Sequence, residues 1–410
     1  MTPTDRPALR AFLTGERARQ TDMLAALVRT PSDNPPGDCA PHAARAASLL
    51  EDLGFTVERH VVPEEKVRAV GMRSCTNLVV RRRFGAGGPV VALNAHGDVV
   101  PPGEGWTADP YGAEIRDGWM YGRGAAVSKS DIATYAFALL ALERTGVATR
   151  GAVELHITYD EETGGEIGPA WLLEQGISKP DLAIGAGFSY GVVEAHNGCL
   201  HLEVEVTGRS AHAAKPWTGV DALQAATQIL SALYAWRPSL AARVSAIPGI
   251  GAPQLTVGLI AGGINTNVVP DRVTFRMDRR MVPEERPDAV EAELRALIAE
   301  AGQAVPGAKV AVRRILLATP LTPMAGGADL TALLCAHATR VMGEEITAGG
   351  VPLYTDARHY AAAGVPIVLY GAGPRSIEEA NAHRADERVP LADLYKATEV
   401  VALTLADLLA

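Results

Sequence analysis

The sequence predicts an α/β protein with a mixed, largely parallel sheet flanked by helices, interrupted by a smaller α+β domain. Three observations lead there. Short β-branched runs alternate with Ala/Leu-rich stretches at helical spacing, the pattern of strands joined by helical crossovers. Two of the apolar runs end in tips loaded with His, Asp and Glu. From residue 199 to roughly 316 the pattern turns to alternating strands and two amphipathic helices, and then the first pattern resumes.

In chain order, "TDMLAALVRT" and "APHAARAASLLEDLG" read as opening helices, the second closed by Gly54. "PVVALNAHGDVVPP" is a buried strand with a polar tip, and "MYGRGAAVSKSD" is a glycine-lined turn entering the helix "DIATYAFALLALE". "AVELHITYDEETGGE" repeats the design of an apolar run ending in an acidic, glycine-rich tip. In open α/β sheets ligands sit outside the carboxyl ends of the strands, so both tips point at one site. "CLHLEVEVTGRSAH" alternates as a half-exposed antiparallel strand does, followed by the helix "VDALQAATQILSALYAW". "QLTVGLIAGG", "RVTFRMDRR" and "KVAVRRILLATP" supply further strands and "PDAVEAELRALIAEAG" a second helix, which together make a small inserted α+β sandwich. "PIVLYGAGP" and the helix in "LADLYKATEVVALTLADLL" return to the α/β pattern.

At 410 residues and 48% hydrophobic content the chain has material for two well-cored domains. A formal net charge of −9 without a basic block excludes nucleic acid as a partner. "MTPTDRPALRAFLTGERARQ" lacks the apolar core of a signal peptide, and no segment reaches the apolar length of a membrane span. The expectation is a soluble, cytoplasmic protein. Cys39, Cys75, Cys199 and Cys335 lie far apart without CxxC spacing, so neither a thiolate metal site nor a disulfide framework is expected.

The chemistry-bearing residues sit at the predicted tips. His96 and Asp98 stand two apart at a strand end, with side chains on the same side. They fit a metal-binding imidazole with its carboxylate orienter, and equally a buried His with a local Asp partner. Asp160, Glu161 and Glu162 follow a buried strand. On an extended backbone, adjacent acids face opposite ways, so one can bind a cation while the other activates water; a solvated acidic loop is the plainer alternative. "NAHRADERVP" offers His383, Asp386 and Glu387, or else a surface His with helix-capping acids. His212 in "GRSAHAAKP" means little alone, and His156, His196 and His201 fall in strand-like segments as packing or hydrogen-bonding residues.

Together the chain resembles the aminoacylase, acetylornithine deacetylase and succinyl-diaminopimelate desuccinylase family of di-zinc hydrolases. "PSDNPPGD", "NAHGDVVPPGEGWTADPYGAEIRDGWMYGRGAA", "TYDEETGG", "GRSAHAAKPWTGVDAL", "GGINTNVVPDRVTFRMDRRMVP", "YTDARHYAAAGVPIVLYGAGP" and "NAHRADERV" match in family order from residue 31 to 389. The resemblance implies a zinc-exopeptidase-like catalytic domain over 1–198 and 317–410, and a ferredoxin-like lid over 199–316 that also dimerises. It implies cleavage of the amide of an N-acyl amino acid or small peptide-like compound. By position, His96 resembles a ligand of the first metal with Asp98 behind it, and Glu161 resembles the general base. Glu162 and His383 resemble ligands of the second metal. His212 is similar to the lid histidine that reaches a partner subunit's site and steadies the developing oxyanion. Asn267 and Arg280 fall in motifs that contact the substrate's carboxylate end.

Two positions depart from that pattern. Where the family carries the aspartate that bridges both metals, this chain has Val127. Where it carries a further carboxylate for the first metal, this chain has Ala186. A bridging carboxylate offsets the repulsion between two nearby divalent cations, and one neutral imidazole does not hold zinc. Three readings remain. One metal (zinc, or cobalt or manganese) per subunit is held by Glu162, His383 and a shifted His96, with Glu161 as base. Alternatively, replacement ligands come from Asp131, Ser128, Ser130 or Tyr190, although Asp131 reads better as a surface or capping acid. In the third, the metal has been abandoned, and Lys129 with the retained acids serves metal-free chemistry or the pocket only binds a ligand.

Overall fold

The computed structural model describes residues 4–410. Its first unit, built from the stretches up to Glu194, Pro323–Gly349 and Thr355–Ala410, holds the larger core. In the eight-stranded sheet the order is Val57–Val61, Thr76–Arg83, Ala152–Thr158, Val90–His96, Leu182–Gly185, Ile367–Leu369, Val192–His196 and Ala348–Val351. The four strands at its middle, from Ala152–Thr158 to Ile367–Leu369, run parallel, and the strands at the first edge pair antiparallel. Each parallel strand is a near-continuous buried run, as expected where helices cover both faces.

The helix Lys129–Thr145 is buried on every side from its first residue to Leu142, and Gly146 (φ 65°) closes it. An Ala-rich sequence without a polar stripe has no solvent face to offer. It packs between the helices Pro7–Val28 and Leu391–Leu408. The first of these starts well before the predicted "TDMLAALVRT", because "PALRAFLTGERARQ" joins the same helix behind a proline at its first position.

The second unit comprises Ala195–Thr322 and takes in the short segment Gly350–Tyr354 as well. Its four-stranded antiparallel sheet has the order Gln254–Gly262, Arg272–Met281, Gly198–Thr207, Lys309–Ala318. With the helices Ala222–Trp236 and Pro287–Gly302 this is the βαββαβ arrangement of a ferredoxin-like fold. Leu200, Leu202, Val204 and Val206 face the helices and build the second core, leaving Cys199, His201, Glu203 and Glu205 on the opposite face. The first helix is capped by Asp221, whose Oδ1 accepts from the backbone N–H groups of Leu223 and Gln224 at 2.9 Å each. Among the described residues, no helix is long and apolar enough to cross a membrane.

Candidate active site

Register explains why residues 65 positions apart meet. The strands Val90–His96 and Ala152–Thr158 are parallel neighbours with His96 paired to Thr158, so Asp160 to Glu162 emerge beside His96. Ligand atoms of His96, Glu161 and Glu162 all lie within 4.8 Å of one another. His383, in the left-handed region at φ 60°, brings Nε2 to 3.4 Å from Glu162 Oε1. The acids are not on extended backbone as expected. Glu161–Thr163 is a 3-10 turn closed by Gly164, and this curl sends both glutamates toward the same imidazole instead of opposite ways.

Asp98 organises this group. His96 Nδ1 lies 3.0 Å from the Asp98 backbone oxygen and 3.4 Å from its Oδ1, so Nδ1 donates to Asp98 and Nε2 is the nitrogen that a cation would take in place of a proton. The Asp98 carboxylate also accepts from the backbone N–H groups of Glu161 (3.3 Å) and Glu162 (3.2 Å) and from Asn34 Nδ2 (2.9 Å). One buried side chain therefore sets the ring and both acids.

The field is strongly negative. Burial pushes Glu161 up to about 7, with the His96 charge opposing and Glu162 adding to the rise. Burial and the Asp98 charge push Asp160 up to about 8. Asp356, buried at the start of the Ala357–Ala362 helix, is also raised by burial and then by Glu161. Burial works against a charged His96, yet the Asp98 hydrogen bond and the surrounding acids hold its pKa well above the ordinary value. The Glu162 carboxylate, 3.4 Å away, raises His383 as well. A field that gathers protons favours a divalent cation too, and the buried Glu162 Oε1 has no hydrogen-bond partner. Two imidazoles and one or two carboxylates fit a catalytic zinc-type site.

Val127 and Ala186 both border the His96 side of the group. Ser128 bonds both the backbone N–H (3.1 Å) and C=O (3.2 Å) of His96, which draws Val127 alongside. Ala186 N–H donates to the Asn94 carbonyl at 2.8 Å on the same strand. Both side chains pack against the main core. The suggested stand-ins have partners of their own. Asp131 is buried, not at the surface, and accepts from Ala372 N–H (2.7 Å) and Gly187 N–H (3.3 Å), with burial raising it to about 7. Ser130 Oγ donates to Ala126 O and Tyr190 Oη to Asp393. Lys129 is wholly buried, with Nζ donating to Thr30 O at 3.0 Å.

Two further expectations change. Glu387 caps no helix; it is buried, pairs with Arg123 at 2.6 Å, and accepts from the Ala126 and Val127 N–H groups, so it holds the glycine-lined turn. Asp386 accepts from Thr107 N–H (2.9 Å), Thr107 Oγ1 and Ala108 N–H. Sequence reasoning missed Glu387 because its partners are 260 positions away, and missed Asp356 because a lone Asp before a helix reads as a cap.

In the second unit His212 is exposed, and its Nδ1 accepts from Ala214 N–H at 3.1 Å, which leaves Nε2–H as a donor. Asn267 sits beside it, its backbone oxygen accepting from Ala213 N–H at 3.0 Å. Arg280 is elsewhere. It pairs with Cys199 at the far end of a strand whose other end pairs Arg272 with Thr207. At about 3.3 Å per residue, the eight-residue step from 272 to 280 separates it from that loop by roughly 26 Å. Its Nε lies 3.0 and 3.1 Å from the Asp278 oxygens. His156 and His196 are buried, His156 between Tyr360 Oη and Glu154.

Comparison with known proteins places these residues in context. The family description "Peptidase family M20/M25/M40" matches residues 92–407. A succinyl-diaminopimelate desuccinylase from Rhizorhabdus wittichii is 30% identical over 92% of this chain and 95% of its own. An acetylornithine deacetylase from Myxococcus xanthus is 28% identical over 98% and 97%. In fold, the chain is similar to an M20-family metallo-carboxypeptidase from Sulfolobus solfataricus (TM-score 0.76, 18% identity, covering 94% of this chain and 98% of that one). It is similar also to human carnosine dipeptidase 1 (TM-score 0.74, 17% identity, covering 99% of each).

Proposed function

The chain belongs to peptidase family M20/M25/M40 and is a hydrolase acting on amide bonds, and from that premise we propose a deacylase of N-acyl amino acids or small peptide-like compounds with one catalytic divalent cation per subunit. The convergence of His96, Glu161 and Glu162, with His383 beside Glu162, carries the reading. His96 Nε2, Glu162 and His383 would hold the cation, zinc by donor type, with cobalt or manganese able to substitute. When bound, it polarises the amide carbonyl and makes a water acidic enough to ionise near neutral pH.

The rest belongs to the chain. Asp98 keeps His96 Nδ1 protonated and Nε2 available. Glu161, whose carboxyl burial poises near neutral pH, takes the water's proton and returns it to the departing amine. The Nε2–H of His212, from a second copy in a homodimer, donates to the developing oxyanion. Asn267, in the same loop, serves that same site, and Arg280 takes the substrate's carboxylate through the guanidinium edge that Asp278 leaves open. Val127 and Ala186 make the His96 side apolar, which favours a single ion and leaves room there for part of the substrate.

Metal analysis of the purified, zinc-reloaded chain tests this. One equivalent per subunit should vanish with Glu162→Ala or His383→Ala. The double substitution Val127→Asp with Ala186→Glu should add one equivalent and lower native activity. Loss of two equivalents with Glu162→Ala would exclude the mononuclear site.

A further inference from the structure

The face of the lid sheet opposite its helices carries a second group with metal-ligand chemistry, beside Arg280 and at the other end of the sheet from the His212 loop. His201 and Asp278 are directly opposite each other on the paired strands Gly198–Thr207 and Arg272–Met281, and Cys199 is opposite Arg280. Alternation puts all four on one face. Ligand atoms of Cys199, His201 and Asp278 lie within 4.8 Å of one another. Spacing along the chain hides this, since 77 positions separate His201 from Asp278, and so a thiolate site was not expected.

The distances match a coordination polyhedron. Zinc bonds of about 2.0 Å to nitrogen and oxygen and about 2.3 Å to sulfur, at tetrahedral angles, set N···O edges of about 3.3 Å and S···O edges of about 3.5 Å. His201 Nε2 is 3.2 Å from Asp278 Oδ2, and Cys199 Sγ is 3.6 Å from Asp278 Oδ1. The two strands thus already hold the donors at nearly the required separations. Cys199 is buried at the bottom while His201 and Asp278 are about one-third exposed, which leaves an ion a route in from solvent.

We propose that Cys199, His201 and Asp278 form a second cation site, in the lid, for a borderline, thiophilic divalent metal such as Zn²⁺ or Co²⁺. Binding releases the Cys199 thiol proton to solvent, keeps His201 neutral, and forms S–metal, N–metal and O–metal bonds with no change in oxidation state. A fourth position is left to water. Arg280 is the opposing charge, with Nε on both Asp278 oxygens. It also helps, because its charge and that of a Cys199 thiolate stabilise each other. The hydrogen bonds from His201 and Arg280 hold Asp278 below the usual carboxylate range against the effect of burial, so the oxygen donor is ionised.

Sulfur separates this site from the catalytic one, whose donors are only nitrogen and oxygen. Metal-free full-length protein is titrated with Co²⁺ and the thiolate-to-cobalt charge-transfer absorption in the near ultraviolet is followed. The band should appear, vanish in Cys199→Ser, and need at least tenfold more cobalt in His201→Ala. It should persist in Glu162→Ala, whatever becomes of the catalytic equivalent. No band in the wild-type chain, or a band that survives Cys199→Ser, overturns the proposal. His201→Ala changes a partly exposed residue and serves as the second check should Cys199→Ser fold poorly.

Discussion

Lys129 and Glu161 are both displaced from their ordinary pKa by burial, in opposite directions and with different consequences. Burial brings Lys129 down to about 7, although the charges of Asp33 and Glu387 pull it up. The unfolded chain keeps that lysine protonated to about pH 10. Between the two values the unfolded state binds more protons, so this residue makes the fold more stable as pH rises from about 7, by up to about 1.4 kcal/mol per unit. Below pH 7 both states are charged and the full cost of burying the ammonium applies. Lys129→Met removes the effect. Its stability advantage over the wild type, read from urea unfolding, should be largest at pH 6.5 and shrink steadily through pH 9; a constant difference would show that Lys129 is not buried as a neutral amine. The sequence made His96 and Asp98 legible, because a two-residue step at a strand end fixes their relation locally. It did not disclose Lys129's burial, Asp131's backbone bonds or Glu387's partners, each of which depends on chain far away.

At the scale of elements, the acid-bearing turn depends on what packs behind it. Arg358 Nη2 and His359 Nε2, neighbours on the Ala357–Ala362 helix, both donate to the Gly164 carbonyl. Gly165 follows at φ +72°, and a Cβ there would meet Asp356 Oδ1 at 2.2 Å and His359 Nε2 at 2.7 Å. Gly71 has a similar φ of +81° with nothing within 4 Å. Alanine at Gly71 should therefore cost only the left-handed conformation, about 1–2 kcal/mol, with kcat/KM unchanged. Alanine at Gly165 adds the collision, so it should destabilise more and lower kcat/KM at least tenfold by moving Glu161 and Glu162. Equal stability losses in the two variants would mean the helix yields without disturbing the turn. Strands and helices were legible from periodicity, because each buries its own pattern. Their order in the sheet was not, and the curl at Glu161 that turns both acids one way was hidden by the assumption of extended backbone.

For the whole molecule, the ferredoxin-like unit separates the three lid residues that the sequence groups by motif. His212 and Asn267 share one loop, while Arg280 lies at the opposite end of the sheet. A small substrate cannot span roughly 26 Å, so one lid does not bring all three to the same amide. In the homodimer proposed above, Arg280 would serve one site and the His212 loop the other, as closed twofold symmetry permits. The arrangement makes a quantitative prediction. Glu161→Gln and His212→Ala should each abolish most activity as pure proteins. In a mixed dimer, the subunit that retains Glu161 meets the intact His212 of its partner, so one site in two is complete. With random exchange half of the dimers are mixed, and co-refolding equal amounts of the two variants should restore about one quarter of wild-type activity. If both residues act within one chain, neither site of the mixed dimer is complete and the mixture stays inactive. The quarter-level recovery therefore tests the dimer, the base and the oxyanion donor at once.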